Sequence, residues 1–312
     1  MDWALEVAIS IPNSSLEGGG LSHKAIFLSK IAIQLAQSGR LDKAIEVALL
    51  MPDEVVKGWT LRDIAKHLIK SNQMDRLVEV VSFIPHVDFG FIVVESVKDS
   101  ALKEIVELLV EFDKLDIAIH VASLISAESI KENAFRSVAR CLAESNRVDE
   151  AISIVDLINC ESVKGGALKD IAKGLAESQE FGRALSIADS ITDEYYFSQA
   201  LQHIAAASAK FQKFDDALGI TKSIKDERIK NIAQREIVKY LAEYNRCEEA
   251  MTLIDSMSDF VCKNQSYFHI LRGLIKLDLI DKANEIADLI TIPSRRKQAL
   301  ELIALSKPFN RA

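Results

Sequence analysis

One helical pattern recurs along the whole chain at a nearly constant spacing. Nine residues hold the same place in this pattern, separated by 40, 33, 41, 33, 33, 33, 33 and 33 positions: Ala4, Ala44, Leu77, Ala118, Ala151, Ala184, Ala217, Ala250 and Ala283. A period of this size is typical of small supersecondary units that cannot bury their apolar faces alone and therefore stack. We expect an array with an extended surface rather than a globule around one pocket.

The composition favours helices and ample burial. Hydrophobic residues make up 49% of the 312 residues, whereas glycine (12) and proline (5) are scarce. The net charge of −8 argues against attraction of the whole protein to nucleic acid or anionic lipid, although a local patch could differ. Four cysteines without C-x-x-C spacing indicate reduced, buried or unreactive thiols: Cys141, Cys160, Cys247 and Cys262.

Targeting signals are not evident in the sequence. The N-terminal residues MDWALE lack the basic region and the apolar run of a signal peptide. No stretch approaches the roughly 18 uncharged residues that a membrane span needs. We therefore expect a cytoplasmic protein with no membrane partner.

The unit at residues 166–190 illustrates the repeat. An apolar stripe at Leu168, Ile171 and Leu175 is followed by the polar residues ESQE and by a second stripe that begins at Phe181. This spacing predicts two helices of about three turns joined by a short loop. The central Ile or Val of the first stripe, here called the anchor, recurs as Ile31, Ile64, Ile105, Val138, Ile171, Ile204, Ile237 and Ile270.

The loop between the two helices also repeats. One loop position carries a residue that tolerates the left-handed conformation common at helix C-termini: Gly39, Asn72, Asp113, Asn146, Asn245 and Asp278. Three positions later an acidic residue usually follows, which favours the positive end of the second helix: Asp42, Asp75, Asp116, Asp149, Asp215, Glu248 and Asp281.

Small residues at a fixed separation carry a resemblance to a known family. The first-helix alanine and the second-helix alanine are twelve positions apart, as in Ala32 and Ala44 or Ala172 and Ala184. Over nearly the whole chain the units therefore resemble tetratricopeptide repeats. They depart from that family in their period of 33 rather than 34 and in the replacement of its early tryptophan by leucine, as at Leu168. Another family of helix-pair solenoids would fit equally well.

Either family implies the same architecture. We expect an all-α, right-handed superhelical solenoid of about eight antiparallel helix pairs that forms a single domain over residues 1–312. A lone second helix is expected at residues 1–12, and a lone capping helix at residues 295–306. The basic residues at 295–297 should keep the outer face of the capping helix in water.

Two insertions interrupt the period. The insertion near residues 14–24 is interpreted as a tolerated surface loop. The insertion near residues 86–99 carries apolar residues such as Phe89 and Phe91. It is expected to pack on the array as an extra turn or a lengthened helix, or else to contact a partner. At the bare N-terminal end, Trp3 either covers the stack or mediates self-association.

No catalytic or metal-binding motif is present in the sequence. The six histidines lie far apart, and none has a second ligand at helical metal spacing. Acidic pairs such as Asp215-Asp216 recur at helix starts, where the helix dipole explains them. We therefore predict no catalytic residue, no metal site, no cofactor and no enzymatic activity.

One charge pattern exceeds the background. The positions two before and two after each anchor flank the apolar stripe, and ten of these sixteen positions are basic while only Glu107 is acidic. These ten residues, here called the basic row, are Arg62, Lys66, Lys103, Arg136, Arg140, Lys169, Lys173, Arg235, Lys239 and Arg272. Stacked repeats should place them in a continuous row.

Two interpretations of the basic row are open. The family resemblance implies that this side of the first helix lines a concave groove, where arginine and lysine would bind an acidic segment. Alternatively, the row is an ordinary solvated face with local ion pairs worth only about 0.3–0.5 kcal/mol each. Such pairs are available at Arg140/Glu144, Lys173/Glu177 and Lys239/Glu243.

Three classes of function follow from these patterns. The first is a non-catalytic scaffold that binds an acidic peptide or protein segment through the basic row. The alternative is an RNA-binding helical repeat, which the acidic total, the 6% aromatic content and the lack of a recurring stacking residue disfavour. An enzyme or enzyme subunit is the third class, and the repeats offer it no reactive constellation.

Overall fold

The computed structural model describes residues 23–87 and 96–306, together with Glu6 and Ser10. Its contacts divide the chain into two compact units, here called the N-terminal unit (Met1–Val163) and the C-terminal unit (Lys164–Ala312). In the N-terminal unit the described helices are α1 (His23–Gln37), α2 (Leu41–Leu49), α3 (Glu54–Lys70), α4 (Met74–Ser82), α5 (Val97–Glu111), α6 (Leu115–Ser123), α7 (Glu128–Glu144) and α8 (Val148–Val155).

The second unit continues the same alternation. After α9 (Glu161–Glu177), whose first three residues precede the boundary, its helices are α10 (Phe181–Asp189), α11 (Glu194–Lys210), α12 (Phe214–Lys222), α13 (Glu227–Glu243), α14 (Cys247–Asp255), α15 (Phe260–Lys276), α16 (Ile280–Leu289) and α17 (Pro293–Ser306). Each regular element among the described residues is thus a helix, and the prediction of an all-α chain is confirmed.

Long and short helices alternate in both units. In most repeats a long helix packs against the short helix that follows it and against the next long helix, as α3 does with α4 and α5, and α13 with α14 and α15. The prediction of two helices of about three turns was wrong for the first helix. Most long helices have 17 residues, or nearly five turns, because they begin before the apolar stripe. Their first turns carry mixed residues that give no periodic signal.

The predicted core positions are buried. Seven of the eight anchors are 0% exposed and Ile31 is 9% exposed, and the second-helix alanines of the described repeats are fully buried. A further core residue lies in the loop after each short helix; of these, only Ile191 was predicted, as the end of the second apolar stripe of its unit. These buried residues close the apolar layer between successive repeats: Met51, Ile84, Ile125, Ile158, Ile191, Ile224, Met257 and Ile290.

The turn from each long helix to its short helix uses one backbone conformation. All six predicted loop residues have positive φ angles between 54° and 78°, and Gln179 (66°) and Gln212 (64°) occupy the same position. After Gly39, for example, Arg40 N–H donates to Leu35 C=O at 2.9 Å and closes the helix end. Acidic residues occupy the first turn of most short helices, as predicted from the helix dipole.

A buried polar side chain near the start of several long helices holds the loop that enters the next repeat. In α13, Asn231 Oδ1 accepts hydrogen bonds from Ser258 N–H (3.0 Å) and Asp259 N–H (3.1 Å). The equivalent residues of three other repeats also accept hydrogen bonds from two successive backbone amides: Asp99, Glu132 and Asn264. Where two of these residues belong to adjacent repeats, they are 33 positions apart. We call this the loop-holding position. In these four repeats it links one repeat to the next through hydrogen bonds rather than apolar contact alone.

Two repeats of the C-terminal unit depart from this arrangement. At the loop-holding position of α9 stands Gly165, and a Cβ added there would lie 3.1 Å from Tyr196 Cδ2. In α11 the residue is Ser198, which is fully buried and whose Oγ has no hydrogen-bond partner among the described residues. A serine side chain is too short to span the distance that asparagine or glutamate spans at this position.

The interruptions of the period are described only in part. Helix α4 ends at Ser82 and α5 begins at Val97, so the insertion near residues 86–99 lengthens neither neighbouring helix, contrary to one expectation. Pro85 follows α4, and Val97 N–H donates to Val87 C=O at 2.8 Å. The rest of this insertion, the other insertion before His23, and Trp3 lie outside the described residues.

The final helix differs from the expected charged cap. Ala299 and Ile303 of α17 are buried, as its predicted role requires. However, Leu300 is 46% exposed and Leu305 is 82% exposed, so the outer face of α17 is not kept wholly polar by its basic residues.

Candidate functional site

The basic row lies on the long helices, beside the buried anchors. Four of its residues are exposed, and six are half-buried. The exposed ones are Lys103, Arg140, Lys173 and Arg272. The half-buried ones are Arg62, Lys66, Arg136, Lys169, Arg235 and Lys239.

In the N-terminal unit, two residues of the row meet one carboxylate from the next long helix. Arg62 Nη1 lies 3.1 Å from Glu104 Oε1, and Lys66 Nζ pairs with Glu104 Oε2. Arg62 also pairs with its neighbour Asp63 at 2.9 Å. Residues of successive long helices are therefore spatial neighbours in this unit, but their positive charges are compensated.

The carboxylate of Glu104 responds to these neighbours. Burial opposes its ionisation, but the hydrogen bond from Lys66 and the charges of Arg62 and Lys66 outweigh that effect, so the pKa of Glu104 lies below its ordinary value. This ion triad links α3 to α5.

Local ion pairs compensate further members of the row. Arg140 Nη1 lies 3.6 Å from Glu144 Oε1, and Lys173 Nζ lies 3.8 Å from Glu177 Oε1, so two of the predicted i,i+4 pairs are confirmed. Lys169 pairs with Asp170 at 2.8 Å. The expected continuous cationic row is therefore, along much of its length, a surface of mixed charge.

A second row, of acids, provides part of this compensation and was not predicted from the sequence. Its members directly precede the anchors by one residue: Asp63, Glu104, Asp170 and Glu236. Each forms an ion pair with at least one member of the basic row. The sequence signal for this row is an acidic residue at a fixed place in the period, between the anchor and the basic-row position two residues before it.

The C-terminal unit keeps an excess of positive charge on α13, α15 and α17. Arg235 donates to Gln265 Oε1 (2.8 Å) and to Glu236 Oε1 (2.9 Å). Lys239 does not make the predicted pair with Glu243; its Nζ lies 4.9 Å from the centroid of the Tyr240 ring. No ion pair to Arg272 occurs within residues 23–87 and 96–306.

Two adjacent pockets open at these helices. One, of about 330 Å³, is lined by Arg235, Glu236, Gln265, Phe268, His269, Arg272 and Arg295. The other, of about 140 Å³, is lined by Lys239, Ala242, Glu243, His269, Arg272, Gly273, Lys276 and Leu277. The two share His269 and Arg272, and together they present five basic side chains against two acidic ones.

Burial is the largest influence on the pKa of two histidines in this unit. Burial lowers the pKa of His269; Lys239, Arg235 and Arg272 lower it further, whereas Glu236 raises it. Burial likewise lowers the pKa of His203, with Lys173 and Lys169 acting in the same direction and Asp170 and Glu177 against it. The lowered pKa favours the neutral form of both imidazoles, in which each can donate one hydrogen bond and accept one.

Reactive groups are sparse in the described part of the chain. No set of three or more His, Cys, Asp or Glu side chains is placed there to hold a metal ion. Cys160 is exposed, Cys141 and Cys247 are half-buried, and Cys262 is buried. Burial, followed by the contact with Asp259, raises the pKa of Cys262 to about 11, which disfavours its thiolate. Among the described helices, none has the length and apolar character required to cross a bilayer.

Comparisons with known proteins do not assign a family. No protein-family model matches the sequence, and no curated protein matches it. Among solved structures, the chain is similar to the crystal structure of Ton1535 from Thermococcus onnurineus NA1. The two share 15% sequence identity, the match covers 97% of this chain and 94% of that one, and the TM-score is 0.34.

Proposed function

We propose that this protein is a non-catalytic interaction module that holds an acidic segment of a protein partner against its long helices. We also propose that its repeats form a tetratricopeptide-like right-handed solenoid. The observation that carries the functional proposal is the pair of adjacent pockets on α13, α15 and α17, where five basic side chains face two acidic ones.

The distribution of ion pairs favours the C-terminal unit as the place of the proposed site. In the N-terminal unit, Glu104 already occupies the donors of Arg62 and Lys66, so a ligand would have to displace an internal ion triad. In the C-terminal unit, Lys239 and Arg272 have no carboxylate partner among the residues described. An incoming carboxylate can bind them without first breaking an ion pair, and such charge-assisted hydrogen bonds are strong.

The shape of the site suits an extended chain better than a small molecule. Each pocket is small, but the two adjoin, and their lining residues come from three successive long helices. An acidic peptide could place successive carboxylates in neighbouring pockets, and repeated pockets along an array suit such a segment.

Binding of a defined acidic probe tests this proposal. Fluorescence anisotropy of a fluorescein-labelled deca-glutamate peptide would be measured with the full chain at about 50 mM salt and again at about 200 mM salt. We expect saturable binding that weakens with salt, and a loss of at least about tenfold in affinity for the double variant Lys239→Glu/Arg272→Glu.

A matched control separates the site from overall charge. The double variant Lys222→Glu/Lys225→Glu changes net charge equally in the same unit, at exposed residues outside both pockets. It should bind deca-glutamate nearly as well as the unaltered chain. Equal losses in both double variants, with unchanged circular dichroism, would reject the proposed site. Binding of an oligouridine RNA but not of deca-glutamate would instead favour the RNA-binding alternative.

A further inference from the structure

The larger of the two pockets contains three arginines from three successive long helices. Arg235 comes from α13, Arg272 from α15 and Arg295 from α17, and the pocket between them measures about 330 Å³. A single carboxylate, Glu236, lines the same pocket. This arrangement is more specific than a general basic surface, because planar guanidinium groups match the oxygens of a phosphoryl group in pairs.

Neighbouring side chains hold two of these arginines in place. Arg235 is fixed by its hydrogen bonds to Gln265 and Glu236. The guanidinium carbon of Arg295 lies 5.8 Å from the centroid of the Phe268 ring, a cation–π arrangement. Side chains restrained in this way lose little conformational freedom when an anion binds.

The charges in the pocket match a dianion better than a monoanion. Three guanidinium groups face one carboxylate, and that carboxylate already accepts from Arg235. Two positive charges thus remain in excess. Arg272 makes no ion pair within the described residues, so its donors are available to a ligand.

We propose that this pocket binds a phosphate monoester, as carried by a phosphoserine or phosphothreonine of the acidic segment. A phosphate monoester carries between one and a half and two negative charges near neutral pH and offers three strong acceptor oxygens. The proposal rests on the proposed function, because it assumes that the ligand is part of an acidic peptide that continues into the smaller pocket beside Lys239 and Lys276.

The imidazole of His269 supports this assignment. It lines both pockets, and Lys239, Arg235 and Arg272 face it together with Glu236, while Arg295 lines the same pocket from α17. A neutral imidazole can donate one hydrogen bond to a phosphoryl oxygen. A bound dianion would in turn favour the protonated imidazole, so the pKa of His269 should rise when the pocket is occupied.

A set of three peptides tests the proposal. They share a glutamate-rich sequence and differ at one central residue, which is serine, phosphoserine or glutamate. With the full chain at constant ionic strength, we expect the phosphoserine peptide to bind at least about tenfold more tightly than the other two. Arg295→Gln should remove this preference, so that the phosphoserine and glutamate peptides bind about equally.

Arg296 provides the matched control. It neighbours Arg295 on α17, but its guanidinium pairs with Asp288 at 2.6 Å and lies outside the pocket. Arg296→Gln should therefore keep the preference for phosphoserine. If Arg296→Gln and Arg295→Gln lose it equally, the assignment to this pocket is overturned.

Nuclear magnetic resonance of His269 gives a readout that does not depend on peptides. Titration with inorganic phosphate against a sodium chloride background should produce a saturable shift of the His269 Hε1 resonance and a raised pKa. His203, which lies near Lys169 and Lys173 and outside this pocket, serves as the internal reference and should shift much less. Equal responses of the two histidines would overturn the proposal.

The outcomes also separate this proposal from the proposed function. Equal affinity for the phosphoserine and glutamate peptides would overturn the phosphoryl assignment and leave acidic-segment binding standing. If none of the three peptides binds although phosphate saturates His269, the ligand is not a phosphorylated peptide, and both proposals fail in their present form.

Discussion

Asn231 and Ser258 lie 27 positions apart, and the side-chain oxygen of Asn231 accepts the backbone N–H of Ser258 at 3.0 Å. The same oxygen accepts from Asp259, while the side-chain amide of Asn231 donates to Glu227 C=O at 2.6 Å. Asn231 is 2% exposed. One buried side chain thus fixes both its own helix and the loop that leads into the next repeat.

Replacing Asn231 with alanine should destabilise the fold, because two amides would lose their acceptor in a buried environment. We expect the free energy of unfolding to fall by about 2–3 kcal/mol, measured by urea denaturation. Asn284→Ala is the control, since within the described residues the Asn284 amide donates to Ile280 C=O of its own helix (3.0 Å) and holds no loop. A similar loss in both variants would contradict the role of the loop-holding position.

The triad around Glu104 should make stability depend on pH. Because its folded pKa is lowered, the contribution of Glu104 is present above its ordinary value of 4.5 and is lost as pH falls through the folded value. Glu104→Gln should cost about 0.5–1 kcal/mol near neutral pH, since the group is one-third exposed and partly screened.

The measurement is the difference in unfolding free energy between the unaltered chain and Glu104→Gln, followed from about pH 6 to about pH 3. This difference should shrink towards zero in acid. Glu111→Gln, at an exposed residue of the same helix, should show no such trend. A constant difference for Glu104→Gln would show that the ion triad does not stabilise the fold.

Two glycines should respond to alanine with opposite signs. A Cβ at Gly273 would lie 2.8 Å from Ala242 C=O, where α13 and α15 approach closely, whereas a Cβ at Gly219 meets nothing within 4 Å. Gly273→Ala should therefore destabilise by about 1–3 kcal/mol. Gly219→Ala should stabilise by about 0.5–1 kcal/mol through helix propensity. Thermal unfolding of the two variants checks the direction of each change in stability. A Gly273→Ala protein as stable as the unaltered chain would contradict the close approach of α13 and α15.

The turn residue Gln212 offers a route to higher stability. Its φ of 64° is unfavourable for a residue with a Cβ, and glycine adopts it without strain. Gln212→Gly should stabilise by about 1 kcal/mol. Gln202→Gly, in the interior of α11, should instead destabilise by about 1 kcal/mol. Urea denaturation would refute the expectation if both variants lost stability.

These turns show how much of the structure could be predicted from the sequence alone. Asn72 and Asn146 were predicted to be left-handed because asparagine favours that conformation, and both have positive φ. Gln212 has the same conformation but carries no local preference, so only its place in the period could have revealed it. Periodicity and local chemistry thus predicted the helices, their turns and their buried anchors.

The remainder depends on contacts between repeats. The loop-holding position was missed because its residues differ in chemistry: Asp99 and Asn231 offer an oxygen to the next loop, whereas Gly165 has no side chain that could do so. The pairing of Arg62 with Glu104 could not be foreseen either, because it depends on how α3 lies against α5. The basic row was correctly placed on the first, long helices. The ion pairs that compensate its charge could not be predicted, because they depend on which residues are neighbours in the folded structure.

The loop-holding position also determines which deletions would preserve the hydrogen bonds between repeats of the C-terminal unit. Asn231 and Asn264 offer the same oxygen to equivalent pairs of amides, one period apart. Excising residues 232–264 would join Asn231 directly to Gln265 and leave it facing Thr291 and Ile292, so that both of these amides keep an acceptor. A cut of any other length between the two asparagines would set an amide side chain opposite the wrong stretch of backbone, so a deletion that joins these two repeats must remove a whole period.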